Sequence, residues 1–465
     1  AYEIGVRLVG SEMCIRDRVN AGLYLVARLM PFVDVHHHGV SGLEDFGLIV
    51  AWIGGITAFM AASIAFVQND IKKVLAYSTM SQLAYIFTGL GSALYFLNID
   101  EYYAGYFVLG ASLFHLFNHA MAKGMLFMAS GSVIHEVHHA HDHLHHGSDD
   151  GHHDFDPQDM RNMGGLASKL PVTATAMMFG SMSIIGIPLI GGFWSKEGII
   201  AKTWTAYFEG ETLMLGPAIL ILATAGMTGF YMSRMWFMTF AGEPKSDVVD
   251  HVHETTPWIK EPLIILTIIT AISGFVLAVL GIVDFLSNKT DDLSLHGKSL
   301  TDRIIYELEH AFLPDDMKVR MVGWLTILLS FIVGPIMASR IHGGSLKEGE
   351  KANLFVGWLV KLSGKFGKQD VSWLSESQLA EALDKRLYFD DLYEGILART
   401  VIPFADFTAW FDRNIVDGII KQIESKSVLG SFEVRKFTTG SAGDYILMAT
   451  VGVICIFVLL MGVSF

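Results

Sequence analysis

Residues 104–134, AGYFVLGASLFHLFNHAMAKGMLFMASGSVI, are the stretch that decides the fold. The run is almost continuously apolar, and three ionisable residues interrupt it: His115, His119 and Lys123. A bilayer core of ~30 Å is crossed by ~20 predominantly apolar residues in a helix. The stretch therefore predicts a membrane-spanning helix that carries titratable side chains inside the bilayer.

Similar apolar runs recur along the chain. Only 17% of the residues are charged, against about 25% in a typical soluble protein, so a lipid-facing exterior is expected. The sequence predicts an all-α, polytopic transmembrane bundle of about nine spans. Besides 104–134, the predicted spans are 19–33, 45–67, 71–95, 170–207, 212–241, 257–285, 318–340 and 442–465.

Several classes of function are excluded by what the sequence lacks. Its two cysteines, Cys14 and Cys455, are too few for a disulfide framework or a cysteine-ligated cluster. No phosphate loop, dinucleotide fingerprint or nucleophile elbow is present. The formal net charge of −14 gives no sign of nucleic-acid binding. We therefore expect no redox centre, cofactor or metal site in this chain.

The chain divides by composition. Residues 1–18 show neither a signal-peptide layout nor a helical apolar period, and SEMCIRDR looks like translated non-native sequence. We exclude them and expect an amino-terminally truncated protein. Residues 19–340 form the predicted transmembrane region, 341–441 a lysine-rich amphipathic region, and 442–465 the final span.

The region 341–441 has apolar residues at helical spacing. This periodicity favours a long helix lying along the cytoplasmic face of the membrane. An ordinary extramembrane domain is the alternative.

Histidines and acids dominate residues 135–156, HEVHHAHDHLHHGSDDGHHDFD. Tracts of this kind can bind Zn²⁺ or Ni²⁺ loosely. Since no tetrahedral ligand spacing stands out, we expect a mobile, solvated loop without a defined metal site.

An ionisable group in hydrocarbon costs ~2.5 kcal/mol or more, so it indicates function. His115, His119 and Lys123 are spaced four residues apart and share one helix face. Histidine titrates near neutrality, so the stripe predicts a proton wire. The alternative is two core histidines bonded to carbonyl groups and a lysine that reaches towards the interface.

Glycines and a proline interrupt the span 170–207. Gly186, Pro188, Gly191 and Gly192 precede Lys196 and Glu197. Broken helices expose backbone groups where a cavity must hold an ion. A loop between two short helices, with both charges in water, explains the pattern equally well.

A third candidate lies in DIKKVLAYSTMSQLAY, residues 70–85. Lys72 and Lys73 can be plain cytoplasmic anchors. Ser78, Thr79, Ser81 and Gln82 on the same helix are small polar residues of the kind used for tight interhelix packing and hydrogen bonds.

Four segments together resemble the antiporter-like membrane subunits of respiratory complex I, most closely the large distal chain called L or 5. They are VLAYSTMSQLAYIF (74–87), LFHLFNHAMAKGMLFMASGSVI (113–134), DMRNMGGL (159–166) and GGFWSKEGI (191–199). The resemblance covers roughly residues 19–465. It implies that 341–441 is the lateral helix of that subunit, beginning near YFDDLYE (388–394) with Asp390 and Asp391.

The resemblance also assigns roles. It implies that His115, His119 and Lys123 are central relay residues. It implies that Lys196, with the adjacent Glu197, lies at the proton outlet. It also implies that Lys72 is a further relay lysine. Flavin mononucleotide, iron–sulfur clusters and quinone are then expected in partner subunits, next to a neighbouring antiporter-like subunit. The family's earlier helices, with a glutamate–lysine pair for proton entry, are absent from this sequence.

Three alternatives remain open. The large subunit of a multisubunit Na⁺/H⁺ antiporter and a membrane-bound hydrogenase arm share these motifs. A divalent metal transporter is suggested by His115, His119 and the histidine tract, but it requires facing carboxylates. The expected location is a bacterial inner membrane.

Overall fold

The computed structural model describes residues 21–30, 43–145, 155–254, 256–282, 301–302, 304–305, 308, 316–365, 377–436 and 438–462. Within these ranges the chain is helical, and its one extended pairing is an isolated antiparallel bridge between Asp70 and Asp159. The chain divides into two compact units, Ala1–Leu387 and Tyr388–Phe465. Each unit is described by itself.

The first unit is a bundle of apolar helices joined by short turns. Its elements are α1 (Leu43–Val67), α2 (Ile71–Asn98), α3 (Tyr102–His145), α4 (Pro171–Ile185), α5 (Gly192–Phe208), α6 (Leu215–Phe240), α7 (Pro257–Val279), α8 (Met317–His342), α9 (Leu354–Lys365) and α10 (Gln378–Asp384). A π-helical segment, Leu328–Val333, lies inside α8. Residues 21–29 are also helical.

The second unit contains a helix over residues 389–435, α11, followed by α12 (Ala442–Gly462). Two π-helical segments, Leu397–Val401 and Asp412–Val416, interrupt α11. Within the predicted amphipathic region 341–441, this long helix therefore begins only at Phe389. The earlier part of this region belongs to the first unit, where the Asn353 side-chain amide donates to the Pro171 carbonyl (3.0 Å) before α9 begins.

By length and apolar composition, six helical stretches of the described residues can cross a membrane. They are α1, α2, Thr212–Phe240, α7, α8 and α12. This is fewer than the nine spans that the sequence predicts. Buried polar side chains lower the mean hydropathy of α3, and the predicted span 170–207 is divided into α4 and α5. The all-α, polytopic membrane fold is confirmed.

Helix α3 runs eleven residues past the predicted end of its span at 134 and includes the first part of the histidine tract. Val137 and Ala140 explain the extension, because they lie three residues apart on one face and are buried at 0% and 4% exposure. A packed face stabilises a helix more than propensity does. The expectation of a loop is therefore wrong for residues 135–145, while 146–154 lie outside the described residues.

Helices α1 and α2 pack closely through small residues, as membrane helices do. A Cβ atom added at Gly54 would lie 2.5 Å from the Thr88 backbone nitrogen and 2.9 Å from the Ala84 carbonyl oxygen. Gly91 on α2 meets the α1 backbone in the same way. The contact thus depends on glycine for close approach of two backbones.

The turn between α1 and α2 is held from two sides. The Arg234 guanidinium on α6, only 6% exposed, donates to the Gln68 carbonyl and to the Asn69 side-chain oxygen (2.6 Å). From the other side, the Ile71 amide donates to the Gln158 carbonyl (3.1 Å). A cation at the carboxyl end of α1 also interacts favourably with the helix dipole. This arrangement fixes where α2 begins.

Side-chain interactions also stabilise the loop that contains Gln158 and Asp159. Burial alone would raise the pKa of Asp159, but hydrogen bonds and charge attraction from Arg161 hold that pKa below its ordinary value. The carboxylate therefore stays charged at neutral pH next to the turn.

Gly54→Ala is expected to lower the melting temperature of the purified protein. The new methyl group overlaps the α2 backbone, and overpacking costs roughly 1–3 kcal/mol. Gly131→Ala is the matched control, because nothing lies within 4 Å of a Cβ at that helical position. Thermal unfolding in detergent measures both; equal melting temperatures would contradict the close contact.

Arg234→Met should also destabilise the fold, by roughly 2–4 kcal/mol, since it leaves buried carbonyl groups without their donor. Methionine is unbranched and of similar length, but it cannot donate these hydrogen bonds. Arg399→Met, at an exposed position of α11, is the control. If Arg234→Met melts at the same temperature as the control, Arg234 does not stabilise the turn between α1 and α2.

Candidate functional site

The three ionisable residues of α3 are buried inside the bundle. His115, His119 and Lys123 are exposed by 1%, 3% and 0%. Lys123 does not reach an interface: its Nζ donates to the Leu75 carbonyl of α2 (3.2 Å). Leu75 lies three residues after Lys72, about one helical turn into α2.

His115 connects α3 to two other helices. Its Nδ1 lies 2.9 Å from Ser195 Oγ on α5, and its Nε2 lies 3.3 Å from Gln82 Oε1 on α2. Asn118 donates to the same serine oxygen (3.2 Å). Because Ser195 directly precedes Lys196, the α3 stripe and the broken helix form one site.

A row of polar side chains continues from Gln82 between α2 and α6. The Gln82 amide nitrogen donates to Thr228 Oγ1 (3.4 Å). The Tyr231 hydroxyl lies 3.3 Å from Thr228 Oγ1 and 3.1 Å from Ser78 Oγ. From Gln82 the row therefore returns along α2 to Ser78, three residues after Leu75.

Two buried oxygens beside His115 have no hydrogen-bond partner among the described protein atoms: Ser112 Oγ and Asn118 Oδ1. Buried polar atoms are almost always hydrogen-bonded, to protein or to water. Each of the two oxygens has hydrogen-bonding capacity left for a water molecule. Water there would extend hydrogen bonding along α3.

Glycines form both sides of the break between α4 and α5. Gly186 ends α4 in the left-handed conformation, with φ 83°. At the other side of the break, the Gly192 amide donates to Ser183 Oγ (3.1 Å). A Cβ at Gly191 would lie 2.7 Å from the Thr270 carbonyl oxygen of α7. The glycines let the turn, which includes Pro188, enter the bundle.

Lys196 and Glu197 follow this break and are not simply in water. Lys196 is 3% exposed, its Nζ lies 3.5 Å from the Ile184 carbonyl, and it stands 4.8 Å from the centre of the Tyr85 ring. Both residues line a cavity of about 10 Å³, with room for about one water molecule. Thr326 and Ser330 of α8 line its other side. The π-helical segment of α8 supplies Ser330, and such segments often occur at functional sites.

The remaining predicted residues lie elsewhere. Lys72 is half-buried in the first turn of α2, where Asp70 caps the helix. Asp390 and Asp391 are exposed in the first turn of α11. Acidic side chains at this end of a helix stabilise the helix by interacting favourably with its dipole. Their roles, like that of Lys72, stay predictions.

Sequence reasoning missed Thr228, Tyr231 and Ser195. Thr224, Thr228 and Tyr231 share one face of α6 at spacings of four and three residues. That pattern was the available signal. For Gln82 the sequence predicts interhelix packing and hydrogen bonding, but not a contact with His115.

The chain is similar to known membrane proteins over part or most of its length. Residues 17–221 match the family described as NADH:quinone oxidoreductase/Mrp antiporter, TM. The chloroplast NAD(P)H-quinone oxidoreductase subunit 5 of Zygnema circumcarinatum is 31% identical over 498 residues, covering 96% of this chain and 61% of that protein. NADH-quinone oxidoreductase subunit L of Rhodobacter capsulatus is 37% identical over 272 residues, covering 56% and 32%.

Among solved structures, a chain of the Mrp complex from Dietzia sp. DQ12-45-1b superimposes with a TM-score of 0.47 and 19% identity, covering 93% of this chain and 39% of that chain. The chain spans about 61% of the length of the Zygnema protein. Residues 17–221 are therefore similar to the transmembrane domain of the NADH:quinone oxidoreductase/Mrp antiporter family.

Proposed function

We propose that this chain is a proton-translocating membrane subunit of an NADH:quinone oxidoreductase. One observation carries the proposal: two buried lysines lie at the ends of a hydrogen-bonded polar region that crosses four helices. Lys123 contacts α2, and Lys196 adjoins Ser195, which bonds to His115. Ionisable residues inside a membrane bundle mark ion and proton pathways more often than they give structural support.

The chemistry needs groups that both accept and release protons. His115 has Ser195 at one ring nitrogen and Gln82 at the other. An imidazole in this position can take a proton on one nitrogen and release it from the other. Lys123 and Lys196 would load and unload protons when a charge moves in a neighbouring subunit.

The route differs from a straight wire along α3. The hydrogen bonds of His115 lead sideways, to α2 and α5. The row from Gln82 to Ser78 returns towards the turn of α2 that binds Lys123. We therefore propose that protons move between the two lysines through Gln82, Thr228, Tyr231 and ordered water, with His119 contributing from α3.

The proposal has consequences for partners and location. Electron transfer would occur in other subunits, which would hold flavin mononucleotide, iron–sulfur clusters and quinone. This chain would pack beside a neighbouring antiporter-like subunit in the membrane arm. We propose a bacterial inner membrane; relatives come from both a bacterium and chloroplasts.

A Na⁺/H⁺ antiporter subunit is the second candidate, because the matching family is described by both activities. Proton movement that depends on a Na⁺ gradient and not on NADH would favour it over the first. A hydrogenase arm is distinguished by the electron-transfer subunits that copurify. A divalent metal transporter is less compatible with the site, since the contacts of His115 are an amide and a hydroxyl rather than carboxylates.

Lys123→Arg tests whether Lys123 carries protons. Arginine keeps the positive charge but stays protonated in proteins. We expect this variant to lose proton pumping nearly as completely as Lys123→Ala. Pumping in membrane vesicles, compared with NADH oxidation by an artificial acceptor, measures the effect. Near-normal pumping by the arginine variant, with normal assembly, would make Lys123 a fixed charge.

Gln82→Leu tests the sideways route. Leucine fills a similar volume but ends the hydrogen bonding between His115 and Thr228, so pumping should fall by more than half. Thr88→Val is the matched control, because the Thr88 hydroxyl is buried on the same helix and bonds its own Ala84 carbonyl (3.1 Å). If both variants pump equally well, protons do not pass through Gln82.

A further inference from the structure

The last turns of α3 extend beyond the proposed relay. A helix of 44 residues is about 66 Å long at about 1.5 Å per residue, whereas the hydrocarbon core is ~30 Å thick. The end of α3 that carries the histidines therefore lies outside the hydrocarbon core. His135, His139 and His143 are all exposed there.

Two of these histidines present the same nitrogen to each other. His139 Nε2 and His143 Nε2 are 3.2 Å apart, with ring centres at 4.3 Å and an angle of 77° between the rings. They lie four residues apart, so the helix itself sets their separation. The ring of His135 stacks on the other side of His139, with centres at 6.2 Å.

This separation matches shared metal coordination. Zn–N bonds of about 2.0 Å in a tetrahedral site place two ligand nitrogens about 3.3 Å apart. We propose that His139 and His143 bind a late divalent transition-metal ion such as Zn²⁺, Ni²⁺ or Cu²⁺, the class that imidazole prefers. Water completes the coordination, because the described residues offer no cluster of three or more histidine, cysteine or acidic ligands.

The neighbouring histidine on another face is engaged differently. His138 Nδ1 lies 3.1 Å from the Asp142 carboxylate, and Asp142 also lies 3.8 Å from His141. His138 therefore provides a matched control: it has the same residue type, helix and exposure but lies outside the proposed pair. A bound ion would bridge two successive turns and stabilise the end of α3. The proposal does not rest on proton transport.

The test is Zn²⁺ titration of the purified full chain in detergent, followed by calorimetry. All proteins compared carry asparagine at the histidines of 36–38, 145, 146, 152 and 153, so that the other histidine-rich segments do not contribute. We expect one Zn²⁺ per chain. His139→Gln and His143→Gln should each weaken the affinity at least fivefold, and His138→Gln should change it less than twofold.

Circular dichroism verifies that each variant keeps its helix content. The site is overturned if the background protein binds no Zn²⁺, or if either pair variant loses less than fivefold. It is also overturned if His138→Gln loses twofold or more, since that result would mean diffuse binding by the tract. Excess Mg²⁺, which prefers oxygen ligands, should not displace Zn²⁺; displacement would likewise exclude an imidazole site.

Discussion

The hydrogen bond from Lys123 to the Leu75 carbonyl is the interaction on which the rest of the site depends. A cation buried inside an apolar bundle is tolerated only where polar atoms face it. Leu75 stands two residues beyond the capped first turn of α2, so the position of its carbonyl follows from where α2 begins. That start is fixed by Arg234 on one side and by the Gln158–Ile71 pairing on the other. The hydrogen bonds that fix the start of α2 therefore also position the carbonyl group that binds the buried lysine.

Helix α5, which follows the break, contacts α3 through His115. Gly191 and Gly192 let the turn approach α4 and α7 closely, and this approach sets α5 with Ser195 towards α3 and Lys196 towards Tyr85. The site therefore requires two unusual backbone features: a glycine-lined break and, opposite it, the π-helical segment that supplies Ser330. The break and the π-helical segment thus bring Lys196 and Ser330 to the same small cavity.

Most of the membrane helices could be predicted from the sequence because lipid requires long apolar runs. The boundaries of α1, α2 and α6 agree with the predicted spans to within a few residues. The end of α3 could not be predicted. A tract of histidines and acids predicts a loop. Val137 and Ala140 extend the helix because they are buried, and their burial is known only from the packing of the folded chain.

A helical membrane protein with titratable residues at His115, His119, Lys123 and Lys196 could be predicted from the sequence alone, because ionisable groups in apolar runs are rare and conspicuous. An interruption of the apolar run at Gly186–Gly192 was equally visible there. Which of these groups meet is known only from the folded structure. Hydrogen bonds between Gln82, Thr228 and Tyr231 join helices far apart in the chain, and helical spacing describes one helix at a time. The Nε2 atoms of His139 and His143 likewise face each other only because residues 135–145 are helical, which the sequence did not predict.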